Sequence, residues 1–134
     1  MGFSRVVLDT SAWSRLRAGN EEVLDWCTGA EVVYLPTIVL GELEVGFRLG
    51  RRYADNRARL DEFLSEAWVE VLPISADVAL RYGAVFASLR AAGTPIPIND
   101  VWIAAASLQS GAHLLTFDGD FRCVPGLSCT VLRG

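Results

Sequence analysis

The chain is 134 residues long and 51% apolar, with a formal charge of −4; its twelve basic residues are all arginine, and it has one histidine and three cysteines. That length suits one compact domain, and the acidic balance argues against binding nucleic acid through a bulk positive field. Without lysine there can be no P-loop lysine, Schiff-base amine or lysine that stabilises a phosphoryl-aspartate, and a Ser-His-Asp arrangement would depend wholly on His113.

Val6 to Leu8 read as a short β-prone run ending at Asp9, followed by a helix, SAWSRLRAG, opened by Thr10 or Ser11 and closed by Gly19. A second short helix is expected from Glu21 to Cys27, stopped by Gly29, and then a buried strand from Val32 to Pro36. Thr37 is placed to cap TIVLGELEVGFRLG, a helix apolar on most faces and so expected to be buried. The amphipathic run Tyr53 to Ala67, apolar at Leu60, Phe63 and Leu64, should pair with it antiparallel. Val69 to Leu72 form a third strand, and Ser75 caps a long helix ended by Gly93. After the rigid TPIPI loop, Asn99 starts a helix that Gly111 ends. His113 to Phe117 supply a fourth strand and Thr130 to Leu132 a fifth.

Short apolar strands alternating with helices indicate an α/β fold, a doubly wound parallel sheet of four to five strands with helices on both faces. Such sheets bind ligands beyond the carboxyl ends of their strands. The apolar run in MGFSRVVLDTSAW is too short for a signal peptide, and no eighteen apolar residues follow one another, so a soluble cytoplasmic protein without membrane contact is expected. Cys27, Cys123 and Cys129 include no CxxC pair, which leaves neither a zinc cluster nor a disulfide framework.

The acids carry the chemical signal. Asp9 follows the first strand, Asp118 and Asp120 follow the fourth, Asp100 opens a helix, and Glu42 interrupts an apolar one. Each has an ordinary use: Asp9 as a helix cap, Asp100 as a favourable charge on a helix dipole, Asp118-Gly119 as a turn. Glu42 has none, because a carboxylate inside a buried helix needs a partner or a metal. Glu44 can pair with Arg48 one turn on, whereas Glu42 has only Gly46 at that spacing, leaving its carboxylate room for a metal or phosphate. Clustered carboxylates repel one another without a cation, and hard oxygen donors suit Mg²⁺ or Mn²⁺. Such a cation can activate a water against a phosphodiester, with arginines at the rim steering the backbone; Arg48, Arg51, Arg52, Arg57 and Arg59 form one dense stretch.

Four segments, VVLDTSAW with Asp9, LPTIVLGELEVGF with Glu42, PINDVWIAAAS with Asp100 and HLLTFDGDFRCVPGL with Asp118, together resemble the PIN-domain ribonucleases. Within that family the chain resembles the VapC-type toxins of bacterial toxin-antitoxin pairs, over its whole length. The resemblance implies a single PIN-like domain over residues 1–134 and a catalytic set of Asp9, Glu42, Asp100 and Asp118, with Asp9, Asp100 and Asp118 holding Mg²⁺, which Mn²⁺ can replace. Ser11 and Thr116 match supporting hydroxyls. Asp120 matches a further acid, with direct and water-mediated metal contact both left open. It also implies an RNA substrate, a cognate antitoxin protein and a homodimer. Two rivals stand beside it: an RNA- or partner-binding module without turnover, and a phosphoryl-aspartate phosphatase or receiver domain, which would want a lysine. Trp13, Trp26, Trp68 and Trp102 are read as packing residues rather than base-stacking ones.

Overall fold

The computed structural model describes residues 2–133. Five strands, β1 (Arg5–Leu8), β2 (Val32–Pro36), β3 (Val69–Leu72), β4 (His113–Thr116) and β5 (Cys129–Val131), form one all-parallel sheet in the order β3-β2-β1-β4-β5. Six α-helices connect them: α1 (Thr10–Arg17), α2 (Glu21–Thr28), α3 (Thr37–Leu49), α4 (Tyr53–Leu64), α5 (Ala76–Ala91) and α6 (Ile98–Ser110). A 3₁₀ turn over Gly119–Cys123 joins β4 to β5. The chain therefore steps from β1 outward to β3, then returns across the sheet and steps outward the other way. Because parallel crossovers are right-handed, this reversal puts the helices before β3 and those after it on opposite faces.

The central strands are continuous apolar runs because both their faces are covered. Val6, Val7, Leu8, Leu114 and Leu115 are fully buried, and the register pairs Val6 with His113, Val7 with Leu114 and Leu8 with Leu115. On α6, Ala104, Ala105 and Ala106 are buried, small side chains that let the helix lie close to its neighbours, and Trp102 stacks on Tyr82 of α5 at 3.9 Å.

Three helix starts differ from the expectation. Asp9, not Thr10 or Ser11, caps α1, its side chain accepting the Ala12 N–H at 2.8 Å. Thr37 is the first residue of α3, after a Pro36 cap, and its hydroxyl donates to the Leu72 carbonyl. Asn99 lies inside α6 after a Pro97 cap, which makes its amide available elsewhere. Proline supplies the entry conformation at both helices without a side-chain cap. Ser75 does cap α5, through the Val78 N–H, and Gly111 ends α6 in the left-handed conformation at φ 70° that glycine adopts without penalty.

The expectation that α3 is buried fails. Only Val39 and Leu43 are buried, while Val45 and Leu49 stand 58% and 84% exposed. Its apolar composition overstated the contact area: α3 packs on one side against β2, α1, α4 and α6. Among the described residues no helix is long and apolar enough to cross a membrane.

Candidate active site

Asp9 leaves β1 and Asp118 follows β4, adjacent central strands between which the winding reverses. A crevice opens at such a point because the flanking connections depart in opposite directions. The paired register sets Asp9 beside Thr116, whose hydroxyl donates to Asp9 Oδ2. Asp9 Oδ1 accepts from Ser11 Oγ and from the Ala12 N–H, both at 2.8 Å. Ser11 Oγ in turn accepts the Phe117 N–H at 3.0 Å, and Thr116 Oγ1 the Asp118 N–H at 2.9 Å. The two hydroxyls thereby tie the start of α1 to the end of β4 and fix the Asp9 carboxylate.

Asp118 curls the chain into its 3₁₀ turn by accepting the Asp120 N–H at Oδ1, 2.9 Å away. That turn brings Asp118 and Asp120 to Asp100 on the first turn of α6, and one carboxylate oxygen from each lies within 4.8 Å of the other two. Glu42 approaches from α3. It accepts from Thr10 Oγ1 at 2.5 Å and from Asn99 Nδ2 at 3.1 Å, so α1, α3 and α6 are linked through one carboxylate.

Electrostatics follow from this crowding. Burial, and then the charges of Asp118, Glu42, Asp9 and Asp120, push the Asp100 carboxyl up to about 7. Asp9, only 4% exposed, is also raised, chiefly by burial and last by Asp118; its hydrogen bonds from Thr116, Ala12 and Ser11 oppose the shift. Acids held back from ionising first by burial and then by one another are ones that a cation relieves.

Asp100, Asp118 and Asp120 thus form the tight acidic group, with Asp9 and Glu42 outside that group of three but close enough to act on Asp100. Glu42 is half-buried, so burial alone does not explain its position; its partners on two other helices do. Neither partner was singled out from sequence. Thr10 and Asn99 read there as capping candidates, and the proximity of Asn99 to Asp100 was the only signal.

His113 starts β4, at the far end of that strand from Asp118, where its ring nitrogens bond Ser128 and Thr130, which removes it from the chemistry. The arginine-rich stretch is largely occupied: Arg48 and Arg57 bind Glu44 at 2.6 and 3.2 Å, Arg57 also binds Asp61, and Arg59 binds Asp55. The tryptophans contact other aromatic rings: Trp13 and Trp68 meet Phe63, Trp26 meets Phe3 and His113, and Trp102 meets Tyr82.

Comparison with known proteins converges on the same architecture. The PIN domain family model matches residues 6–127. Ribonuclease VapC5 of Mycobacterium tuberculosis is 34% identical over 121 residues, covering 90% of this chain and 87% of that protein. The structure of VapBC2 from Rickettsia felis bound to a DNA fragment from their promoter aligns with a TM-score of 0.79 and 26% identity, over 94% of this chain and 97% of the matched one. VapBC-5, a member of the VapBC family of toxin-antitoxin systems from Mycobacterium tuberculosis, aligns at 0.75 and 29% identity, over 98% and 100%.

Proposed function

The chain belongs to the PIN domain family, and from that membership we propose that it is a divalent-metal-dependent endoribonuclease, the toxin of a type II toxin-antitoxin pair. The carrying observation is the meeting of Asp100, Asp118 and Asp120 at one point beyond the strand ends, beside Asp9. The likeness to a protein named ribonuclease VapC5 supports the reaction, and the likeness to VapBC structures supports the toxin role.

The donor set fits a hard cation, since it is built from carboxylate oxygens. Asp9, Asp100 and Asp118 would hold the ion, Mg²⁺ with Mn²⁺ able to replace it. A carboxylate has about four acceptor positions. Asp9 uses three of them for the N–H of Ala12 and the hydroxyls of Ser11 and Thr116, which leaves acceptor capacity for an ion. Asp100 would bind the ion as the carboxylate, and Asp120, within 4.8 Å of Asp100 and Asp118, would assist directly or through water. When bound, the cation supplies Lewis acidity to a phosphate oxygen and to the attacking water. Glu42, held by Thr10 and Asn99, would orient an attacking water toward the phosphorus for in-line displacement.

Residues 1–134 act as one nuclease domain in the cytoplasm, where the RNA substrate is. The toxin forms a homodimer and is restrained by a cognate antitoxin protein. Expression of the intact chain is expected to arrest growth, with rescue by the neighbouring antitoxin gene, whereas the Asp100→Asn variant is expected to be harmless. Equal toxicity of the two forms overturns the toxin role.

A further inference from the structure

We propose that Arg15 and Arg122, one against each chain neighbour of Asp118, are the cations that seat the RNA backbone; the inference rests on the ribonuclease reading above. The two chain neighbours of Asp118 are Phe117 and Gly119, and each carries a guanidinium. Arg15 lies over the Phe117 ring, its central carbon 4.4 Å from the centroid. Arg122 lies over Gly119, with Nη1 3.0 Å from the point that a Cβ there would occupy.

The first of these is held in place by the site itself. Ser11 and Arg15 are one turn apart on α1, so the helix face that takes the Phe117 N–H through Ser11 also lays Arg15 across the ring. An aromatic face orients a guanidinium without neutralising it. Among the described residues neither arginine forms an ion pair, unlike Arg48, Arg57 and Arg59, and both are exposed. A ribose-phosphate strand must approach five acids to reach the reacting atoms. Two planar forks that match phosphate geometry, placed against the residues that flank Asp118, offset that repulsion. At Gly119 the missing side chain gives Arg122 its space.

The test is the salt dependence of binding, read as fluorescence anisotropy of a labelled single-stranded RNA of mixed sequence. The full chain carries Asp100→Asn so that RNA is not cut, and salt runs from about 50 to 200 mM. Each phosphate contact on a single strand contributes about 0.7 to the slope of log affinity against log salt. Arg15→Gln and Arg122→Gln should each flatten the slope by about that amount, and the double variant by about twice as much. Arg15→Lys should restore the slope. Phe117→Leu should keep it while weakening binding about two- to fivefold, the worth of an exposed cation–π contact. Slopes unchanged in both glutamine variants, with RNA still bound, overturn this inference and leave the ribonuclease reading standing. If the unsubstituted chain neither binds nor cuts RNA, the ribonuclease reading itself fails, and this inference with it.

Discussion

At Asp9, one carboxylate caps α1 through the Ala12 N–H and takes the hydroxyls of Ser11 and Thr116, so substitution there can separate folding from chemistry. Asparagine caps a helix about as well as aspartate, whereas alanine costs about 0.5–2 kcal/mol. Asp9→Asn is therefore expected to hold its urea midpoint near that of the parent while losing RNA cleavage, and Asp9→Ala to lose both. A large midpoint loss in Asp9→Asn would mean that the charge, not the cap, supports the fold. The position of Asp9 was legible because a β-prone run ends there. Its role as the cap stood open beside Thr10 and Ser11, because sequence cannot say which of three consecutive capping residues turns inward. Asn99 was misread for a related reason: its amide is committed to Glu42, a partner 57 positions away that no local rule contains.

Among the elements, those defined by short-range signals were readable and those defined by their surroundings were not. Strands β1, β2 and β3 were marked by β-branched runs, and α5 by the Ser75 cap and Gly93, so their limits match closely. Helix α3 was judged buried from composition, yet its Val45 and Leu49 face solvent, because burial depends on which neighbours the topology supplies. The distinction is measurable in a pair of variants. Leu43→Ala, at a position 5% exposed, should cost about 2–5 kcal/mol of unfolding free energy in urea, as large-to-small core substitutions do. Val45→Ala, 58% exposed, should cost no more than about 0.5 kcal/mol. Comparable losses in the two would mean that the outer face of α3 is covered in the folded protein. The same one-sided packing lets Glu42 reach Thr10 and Asn99, so the geometry of the site depends on α3 being a partly exposed helix.

For the whole molecule, alternation of strands and helices announced a parallel α/β sheet, but the order β3-β2-β1-β4-β5 was not written in any local pattern. That order creates the reversal between β1 and β4 and so the place where the acids gather. Its electrostatic cost appears as a pH dependence of stability. Burial and then the neighbouring acids hold the folded Asp100 carboxyl up at about 7 against an ordinary 3.8, so the folded state retains a proton that the unfolded state releases between those values. Its contribution therefore becomes destabilising as pH rises through that window and is fully destabilising above it. Glu44 acts oppositely: the Tyr53 hydroxyl above all holds its carboxyl below the ordinary glutamate range, and the stability it lends is lost only at lower pH. In EDTA, the Tm contribution of Asp100 should fall from about pH 4 to pH 7 and level off above that. Scanned beside Asp100→Asn, the parent should lose Tm relative to that variant, and Mg²⁺ should raise the parent alone. A parent-to-variant difference independent of pH and Mg²⁺ would contradict this account of the acidic cluster. The most direct test of the central claim is cleavage of a structured RNA by the purified chain. Cleavage should proceed in Mg²⁺ or Mn²⁺, stop in EDTA, resume when either ion is restored, and be absent in Asp100→Asn. Cleavage that persists in EDTA, or in that variant, would contradict a metal-dependent site built on these acids.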